Sequence, residues 1–296
     1  MKSNDINNFY IKLLPDLYKD SDFVRLLLPY APLLKVKPNN SEKETFNQIF
    51  MALVQEAEVS LSLIEDLLDK KLSVLEVGGG IGLCYGYLKS QGYNITSIEP
   101  SSQGYDSSYK IAQKLFKILK ISSECWYPYT ALEVGKLEKN FDIIFSNNVM
   151  EHIKEIDKNF SALSKVLKHN GVMIHNTVNY HVPYEPHLGI VLLPFFPSLT
   201  YLLNQKLKQS ILWNDLNFIT ASKIYSLCRD NNLKVKFDKN VLFKTINRLD
   251  SDKHFATRHP SLVPIFWLFK TFHVIELTKY FPPALMTPIK FSVYNK

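Results

Sequence analysis

The stretch from Leu72 to Gly82, LSVLEVGGGIG, constrains this chain more than any other. Val74, Leu75 and Val77 form a short apolar run that stops at a glycine cluster, the pattern of a buried parallel strand. Past Gly82 the spacing changes, and Leu83, Tyr87 and Leu88 recur at helical intervals. A strand, a glycine turn and a helix start in that order leave backbone N–H groups open to a ligand that approaches the main chain. A dinucleotide fingerprint of the form Gly-x-Gly-x-x-Gly would need glycine at 83, where Leu83 stands. The chain has instead Glu76-x-Gly78-x-Gly80-x-Gly82, an acid inside the strand followed by alternating glycines. A nicotinamide-dependent oxidoreductase is disfavoured on both counts.

Three further stretches follow in order. Tyr93 to Ile98 reads as a second strand that ends in Glu99-Pro100, about twenty residues beyond the glycines. An α/β nucleoside-binding unit places a carboxylate there to accept hydrogen bonds from ribose hydroxyls. Ile143 to Phe145 is the next buried strand, and Ser146-Asn147-Asn148 ends it with small polar groups able to face a ligand. A helix is expected from near Val149 to Leu167, with Phe160, Leu163 and Val166 on its inner face. An Asn170-Gly171 turn and an apolar strand through Asn176 come next.

Over residues 72–178 this set resembles the class I S-adenosylmethionine (SAM) dependent methyltransferases, including the ubiquinone-type and other small-molecule enzymes. The resemblance implies an α/β fold, a Rossmann-like seven-stranded methyltransferase sheet. It implies a SAM-binding core over 71–240, an N-terminal helical cap over 1–70, and an insertion with the final strand over 241–296. SAM is the cofactor implied. Glu76 would serve the amino group of its methionine moiety, and Gly78, Gly79, Gly80 and Gly82 would let that moiety lie on the backbone. Glu99, Pro100, Ser146 and Asn147 complete the expected cofactor set. The acid that in such enzymes receives the adenine amino group is absent from Tyr127-Pro128-Tyr129-Thr130, so stacking or a backbone contact would replace it. In ubiquinone-type O-methyltransferases a Glu-x-x-Glu-His run supplies metal ligands. Here Asn148 replaces the first glutamate ahead of Glu151 and His152, so no metal is expected and His152 reads as a packing or hydrogen-bonding residue.

The acceptor chemistry is expected in the loop 179–187, just after the fifth strand. It carries His181, Tyr184, Glu185 and His187 within nine residues. A histidine titrates near neutrality and a neighbouring carboxylate can orient its ring. His187 is the favoured base, His181 its rival, and Glu185 the orienting or acceptor-binding group. Methyl transfer to an oxygen or nitrogen of a small-molecule, glycan or lipid-linked acceptor is the function implied. A non-catalytic SAM-binding subunit and an RNA methyltransferase are the alternatives.

Elsewhere the pattern is helical before residue 70. Leu13, Leu14, Leu17 and Tyr18 share one face, and Pro38-Asn39-Asn40 breaks the run. Ser41 and Glu44 then form a capping box for a helix whose stripe runs from Phe46 to Leu67. A weak third strand is expected at Ile121–Trp126, a short helix at Thr130–Leu137, a helix at Thr220–Cys228 and a strand at Leu233–Phe237. Residues 242–286 read as an irregular, partly helical insertion and Ile289–Tyr294 as the last strand. The net charge of +7 is concentrated late, in lysines and arginines between 234 and 258. No RNA-binding motif accompanies it, so nucleic acid is not an expected partner. Three scattered cysteines and the absence of a signal-peptide core predict a cytoplasmic protein. Leu188–Leu203 is apolar but is broken by Pro194 and Pro197, and it is too short to span a bilayer. With Trp267, Phe269 and the late lysines it suggests a peripheral contact at the inner membrane surface.

Overall fold

The structure is a computed structural model that describes residues 2–37, 41–101, 106–260 and 262–296. The expected break at Pro38-Asn39-Asn40 lies outside the described residues. The chain forms two compact units, Met1–Asn147 with Ala162–Met173, and Asn148–Ser161 with Ile174–Lys296.

In the first unit, helices α1 (Asp5–Lys19), α2 (Ser21–Leu27) and α3 (Glu42–Ser62) precede the strands. The Ser41 hydroxyl caps α3 by accepting from Glu44 N at 3.4 Å. Phe46 and Phe50, one turn apart, stack in the core of these helices. Leu67, placed on the same stripe by its spacing, is exposed because α3 has already ended at Ser62. Strand β1 (Ser73–Val77) leads into α4 (Leu83–Ser90), β2 (Asn94–Ile98), α5 (Asp106–Leu119), β3 (Trp126–Tyr127) and β4 (Phe141–Asn147). β1 pairs in parallel with β2 on one side and β4 on the other, and β2 pairs in parallel with β3. The helical region is joined to this layer by the Tyr10 hydroxyl, which donates to Leu83 O at 2.8 Å, and by the Cys84 thiol on Ala57 O. The third strand is shorter and later than expected: Trp126 begins it, wedged against Tyr85 and Phe116. The short helix after it is a 3-10 turn over Ala131–Leu137, closed by a Thr130–Glu133 capping box.

Helix α6 (Ile156–Lys165) and strand β5 (Leu167–Thr177) follow. The continuous helix expected from Val149 is interrupted. A 3-10 turn covers Met150–His152, and Ile153 is extended. The cause is Asn217, whose side-chain amide donates to Met150 O at 2.7 Å and to Ile153 O at 2.9 Å, while its own N–H donates to Glu151 O. Those carbonyls are therefore lost to a helix ladder. Asn170-Gly171 is not a separate turn but lies inside β5. A Cβ at Gly171 would sit 3.0 Å from both Asp142 O and Lys168 O, so only glycine lets the strand pass so close.

The second unit contains a hairpin of β6 (Tyr184–Glu185) and β7 (Ile190–Val191), then α7 (Ile211–Asp215), α8 (Ala221–Asp230) and β8 (Leu233–Phe237). The expected irregular insertion is four helices, α9 (Val241–Ser251), α10 (Lys253–Arg258), α11 (Leu262–Thr271) and α12 (Val274–Leu277), around buried Leu249, Phe266 and Ile275. Strand β9 (Ile289–Asn295) runs antiparallel to β8. The sheet order is β3-β2-β1-β4-β5-β9-β8, the Rossmann-like seven-stranded arrangement expected from the sequence. Among the described residues no helix is long and apolar enough to cross a membrane.

Asn179, fully buried after β5, is the polar hub of this unit. Its side-chain amide donates to Pro283 O (3.0 Å) and Met286 O (2.8 Å), and its Oδ1 accepts from His181 N and Ala221 N. Asn179→Ala strands several buried backbone groups at once, so unfolding in urea should show a loss of about 3 kcal/mol. A loss below about 1 kcal/mol would mean that water takes over these contacts.

Candidate functional site

The glycine turn after β1 divides its labour. Gly78 and Gly79 donate their N–H groups to Ile98 O at 2.9 and 3.3 Å, which stitches the turn to the end of β2. At Gly79 a Cβ would meet Ser97 Oγ at 2.3 Å and the Trp126 ring at 2.6 Å, so this glycine is needed for packing. Gly80 is different. It has φ +56°, and among the described residues a Cβ there would meet nothing within 4 Å.

Two carboxyl groups line that turn, and both are buried. Glu76 in β1 lies opposite Ser97 in the sheet register and accepts from the Ser97 hydroxyl at 2.9 Å. Glu99, just past β2, accepts from Gly80 N at 3.0 Å. Burial pushes Glu76 up to about 7 against the opposing hydrogen bonds of Ser97 and Cys84. Burial also pushes Glu99 up to about 7, with the Gly80 N–H opposing and the charge of Glu76 adding. Two desolvated acids beside an open glycine turn call for ligand groups that donate hydrogen bonds or carry positive charge, such as an ammonium and a pair of hydroxyls. That donor pattern matches the amino-acid and ribose ends of SAM. Ser146 is buried at the end of β4, Asn147 donates from Nδ2 to Ser60 Oγ at 3.1 Å, and Pro100 is half-buried beside Glu99. Tyr127 and Tyr129 stack at 5.4 Å, and Tyr127 O accepts from Glu99 N, which puts aromatic faces where an adenine acid is missing.

A second group of titratable side chains lies in the second unit. The β6–β7 hairpin holds Glu185 fully buried while His187, two residues on, is partly exposed. Glu185 Oε1 is 2.7 Å from His187 Nδ1 and also accepts from His187 N at 2.7 Å. Glu185 Oε2 accepts from the buried Tyr180 hydroxyl. Burial acts to raise the Glu185 carboxyl, but the hydrogen bonds and charge of His187 and the Tyr180 hydroxyl outweigh it and hold it below its usual range. A buried, ionised carboxylate against Nδ1 holds the proton on that nitrogen and fixes the orientation of the ring. His181 is not brought to this pair. It is exposed, and its backbone N–H is bound by Asn179 Oδ1.

Glu151 and His152 stand next to His187. The His152 and His187 rings meet edge to face at 5.4 Å. Burial lowers the His152 pKa, so the ring is kept neutral. Glu151 is fully buried and accepts from the Thr177 hydroxyl at 2.6 Å through Oε2, while its Oε1 and His152 Nδ1 find no partner among the described residues. Donor atoms of Glu151, His152 and His187 all lie within 4.8 Å of one another.

Ser97, Tyr180 and Thr177 escape a reading of the sequence, since each serves a carboxylate chosen by strand register or by a hairpin. Tyr180, five residues before Glu185 on a polar loop, carries the only legible signal, a hydroxyl near a candidate acid.

A family profile described as a methyltransferase domain matches residues 50–236. An uncharacterized protein of Mycobacterium tuberculosis is 32% identical over 207 residues, covering 66% of this chain and 70% of its own length. A ubiquinone biosynthesis O-methyltransferase of Rickettsia typhi is 29% identical over 173 residues, covering 58% of this chain and 64% of that protein. Among solved structures, mycolic acid cyclopropane synthase aligns over 93% of both chains at 15% identity with a TM-score of 0.47.

The raised Glu99 pKa has a sign that can be measured. An acid whose folded pKa lies above its unfolded value stabilises nothing once ionised. Its favourable contribution is complete below the unfolded pKa and is lost as the pH rises through about 7. Glu99→Gln removes that loss while leaving an acceptor for Gly80 N. The ligand-free variant should gain roughly 2–3 kcal/mol over the parent at pH 8 and almost nothing at pH 4, read from urea midpoints at the two values.

Proposed function

Because this chain belongs to the SAM-dependent methyltransferases and takes SAM as its cofactor, we propose that it moves the methyl group to an oxygen or nitrogen of a small-molecule, glycan or lipid-linked acceptor, with the Glu185–His187 pair as its acid–base element. The single observation behind this reading is the 2.7 Å contact from buried Glu185 to His187 Nδ1. A carboxylate against Nδ1 orients the ring and favours the tautomer with its proton on Nδ1, so that Nε2 would be the atom to act as base. The ubiquinone-biosynthesis relatives are O-methyltransferases, which favours a hydroxyl over an amine.

When bound, SAM supplies a methyl group on a sulfonium that an in-line nucleophile can attack. The chain's residues do the rest. Glu99 would accept from the ribose hydroxyls, Glu76 would balance the ammonium, and the Gly80 turn would admit the ligand to the backbone. Gly78, Gly79, Gly82, Pro100, Ser146 and Asn147 complete the pocket. His187 Nε2 removes the acceptor hydroxyl proton as the oxygen becomes nucleophilic, and Glu185 steadies the imidazolium that results. Tyr180 holds the second carboxylate oxygen and so fixes the plane of the pair.

A second reading is favoured by the unpartnered Glu151 Oε1 and His152 Nδ1. Here Glu151, His152 and His187 would hold a divalent cation, and Glu185 would orient the histidine ligand from behind. The absence of the first glutamate at Asn148 argues against it.

For the cofactor pocket, Gly80→Val fills the open space beside Glu99 and should abolish S-adenosylhomocysteine binding in calorimetry. Glu99→Ala should weaken it by about 10- to 100-fold, the scale of hydrogen bonds to a charged group. Tight NAD binding with none for S-adenosylhomocysteine would sink the assignment of this pocket. For the acceptor site, His187→Ala should keep cofactor affinity and lose turnover by about 10² or more, whereas His181→Ala should turn over at the parental rate. A parental enzyme stopped by a chelator and restored by a divalent ion would replace the base reading with the metal reading.

A further inference from the structure

Beyond the β6–β7 hairpin the chain turns apolar side chains to solvent. Leu192, Leu207 and Trp213 are buried with Val178 and Tyr180 and anchor the segment from below. Between these anchors Phe195, Phe196, Leu202 and Leu203 point the other way, at 88%, 59%, 56% and 76% exposure. Scattered exposed apolar residues are ordinary; five large ones within nine residues, Leu199 being the fifth, are not.

The backbone is shaped to present them. Phe195 has φ 64°, in the left-handed region that a bulky side chain rarely enters and holds only when its surroundings impose it. Buried Thr200 imposes it here. Its hydroxyl accepts from Leu193 N at 2.9 Å and donates to Pro197 O at 2.7 Å, which closes the turn that carries the two phenyl rings. The same segment is tied to the acceptor hairpin, because β7 pairs with β6 and Leu192 N donates to Pro183 O at 3.0 Å.

Charge selects the occupant. Residues 188–214 carry Lys206 and Lys208 and no aspartate or glutamate. Both lysines are exposed, and Lys208 lies 4.5 Å over the Tyr201 ring. A second copy of the chain seated on this patch about a two-fold axis would set these lysines against their own counterparts, with no acid in the segment to answer them. A bilayer that carries anionic headgroups above an apolar interior answers both features at once.

We propose that residues 195–208 form a docking surface for an anionic lipid membrane, with Phe195, Phe196, Leu202 and Leu203 entering the interface and Lys206 and Lys208 meeting lipid phosphates. The surface holds the protein against the bilayer beside the hairpin that bears Glu185 and His187. The inference goes beyond the acceptor chemistry above and does not depend on it.

Flotation of the full chain tests this, with vesicles of pure phosphatidylcholine and of phosphatidylcholine containing about one third phosphatidylglycerol, at low and at physiological salt. The parent should float with the anionic vesicles at low salt, less at higher salt, and about tenfold less with the neutral ones. The double variant Phe195→Ser/Leu203→Ser should lose at least about tenfold of the bound fraction, and Lys206→Glu/Lys208→Glu should lose the preference for anionic lipid. Calorimetry with S-adenosylhomocysteine on each variant shows whether it is folded, and keeps a failure here separate from a failure of the cofactor reading. A parent that stays at the bottom in every condition overturns the proposal. So does equal flotation of the folded Phe195→Ser/Leu203→Ser variant, or a parent that is dimeric, does not float, and becomes monomeric on that double substitution.

Discussion

Two carboxyl groups set where they are almost dry, Glu76 and Glu99, constrain the glycine turn after β1. Glu76 and Glu99 stand at neighbouring strands, and burial drives both toward the protonated form at neutral pH. Unpaired, such groups destabilise a fold by kcal/mol amounts, so their surroundings must pair them. Ser97 answers Glu76 and the Gly80 N–H answers Glu99. That second answer comes from the glycine turn, where Gly80 takes a positive φ. The pocket is in this sense a stored electrostatic deficit, one that hydroxyl and ammonium groups of a ligand relieve. Under the proposed cofactor site, SAM binding and local stability would be two readings of the same pair of side chains.

The second unit solves a similar problem with amides. Asn179 and Asn217 each spend a whole side chain on buried backbone groups. Asn217 breaks what would be one long helix and so frees Glu151 and His152 to stand in a short turn. Asn179 fixes the start of the loop from which Glu185 and His187 emerge. Neither asparagine carries chemistry, but each determines where the titratable groups point. Buried amides suit this task because they donate and accept at once and bring no charge to desolvate.

The exposed apolar turn at Phe195 shows the converse arrangement. Apolar groups usually drive burial, yet here a strained residue and a buried threonine hold them in water. A fold that maintains such a patch against the hydrophobic effect gains nothing from it alone. The patch makes physical sense when water is replaced at that face, as it is at a lipid surface.

Local chemistry made much of this legible in the sequence. The order of strand, glycine turn and helix at 72–90, the acid at 99, the strand ending at Asn147 and the last strand from Ile289 all follow from spacing and residue type, because period and turn propensity act within a few residues. So did the pairing of Glu185 with His187, two residues apart. What spacing could not decide depends on groups far apart in the chain. The helix expected from Val149 yields to an asparagine at 217, the third strand begins where Trp126 packs against Tyr85 and Phe116, and Ser97 finds Glu76 only through the register of two strands. On sequence His187 is the favoured base and His181 its rival, and it is the hairpin that sets His187 against buried Glu185 and leaves His181 exposed. The sequence determined which chemistry the chain carries, since that resides in residue types and short-range geometry. The tertiary structure decided which of those groups are dry, paired and oriented, because burial and hydrogen bonding are properties of neighbours that the linear order does not bring together.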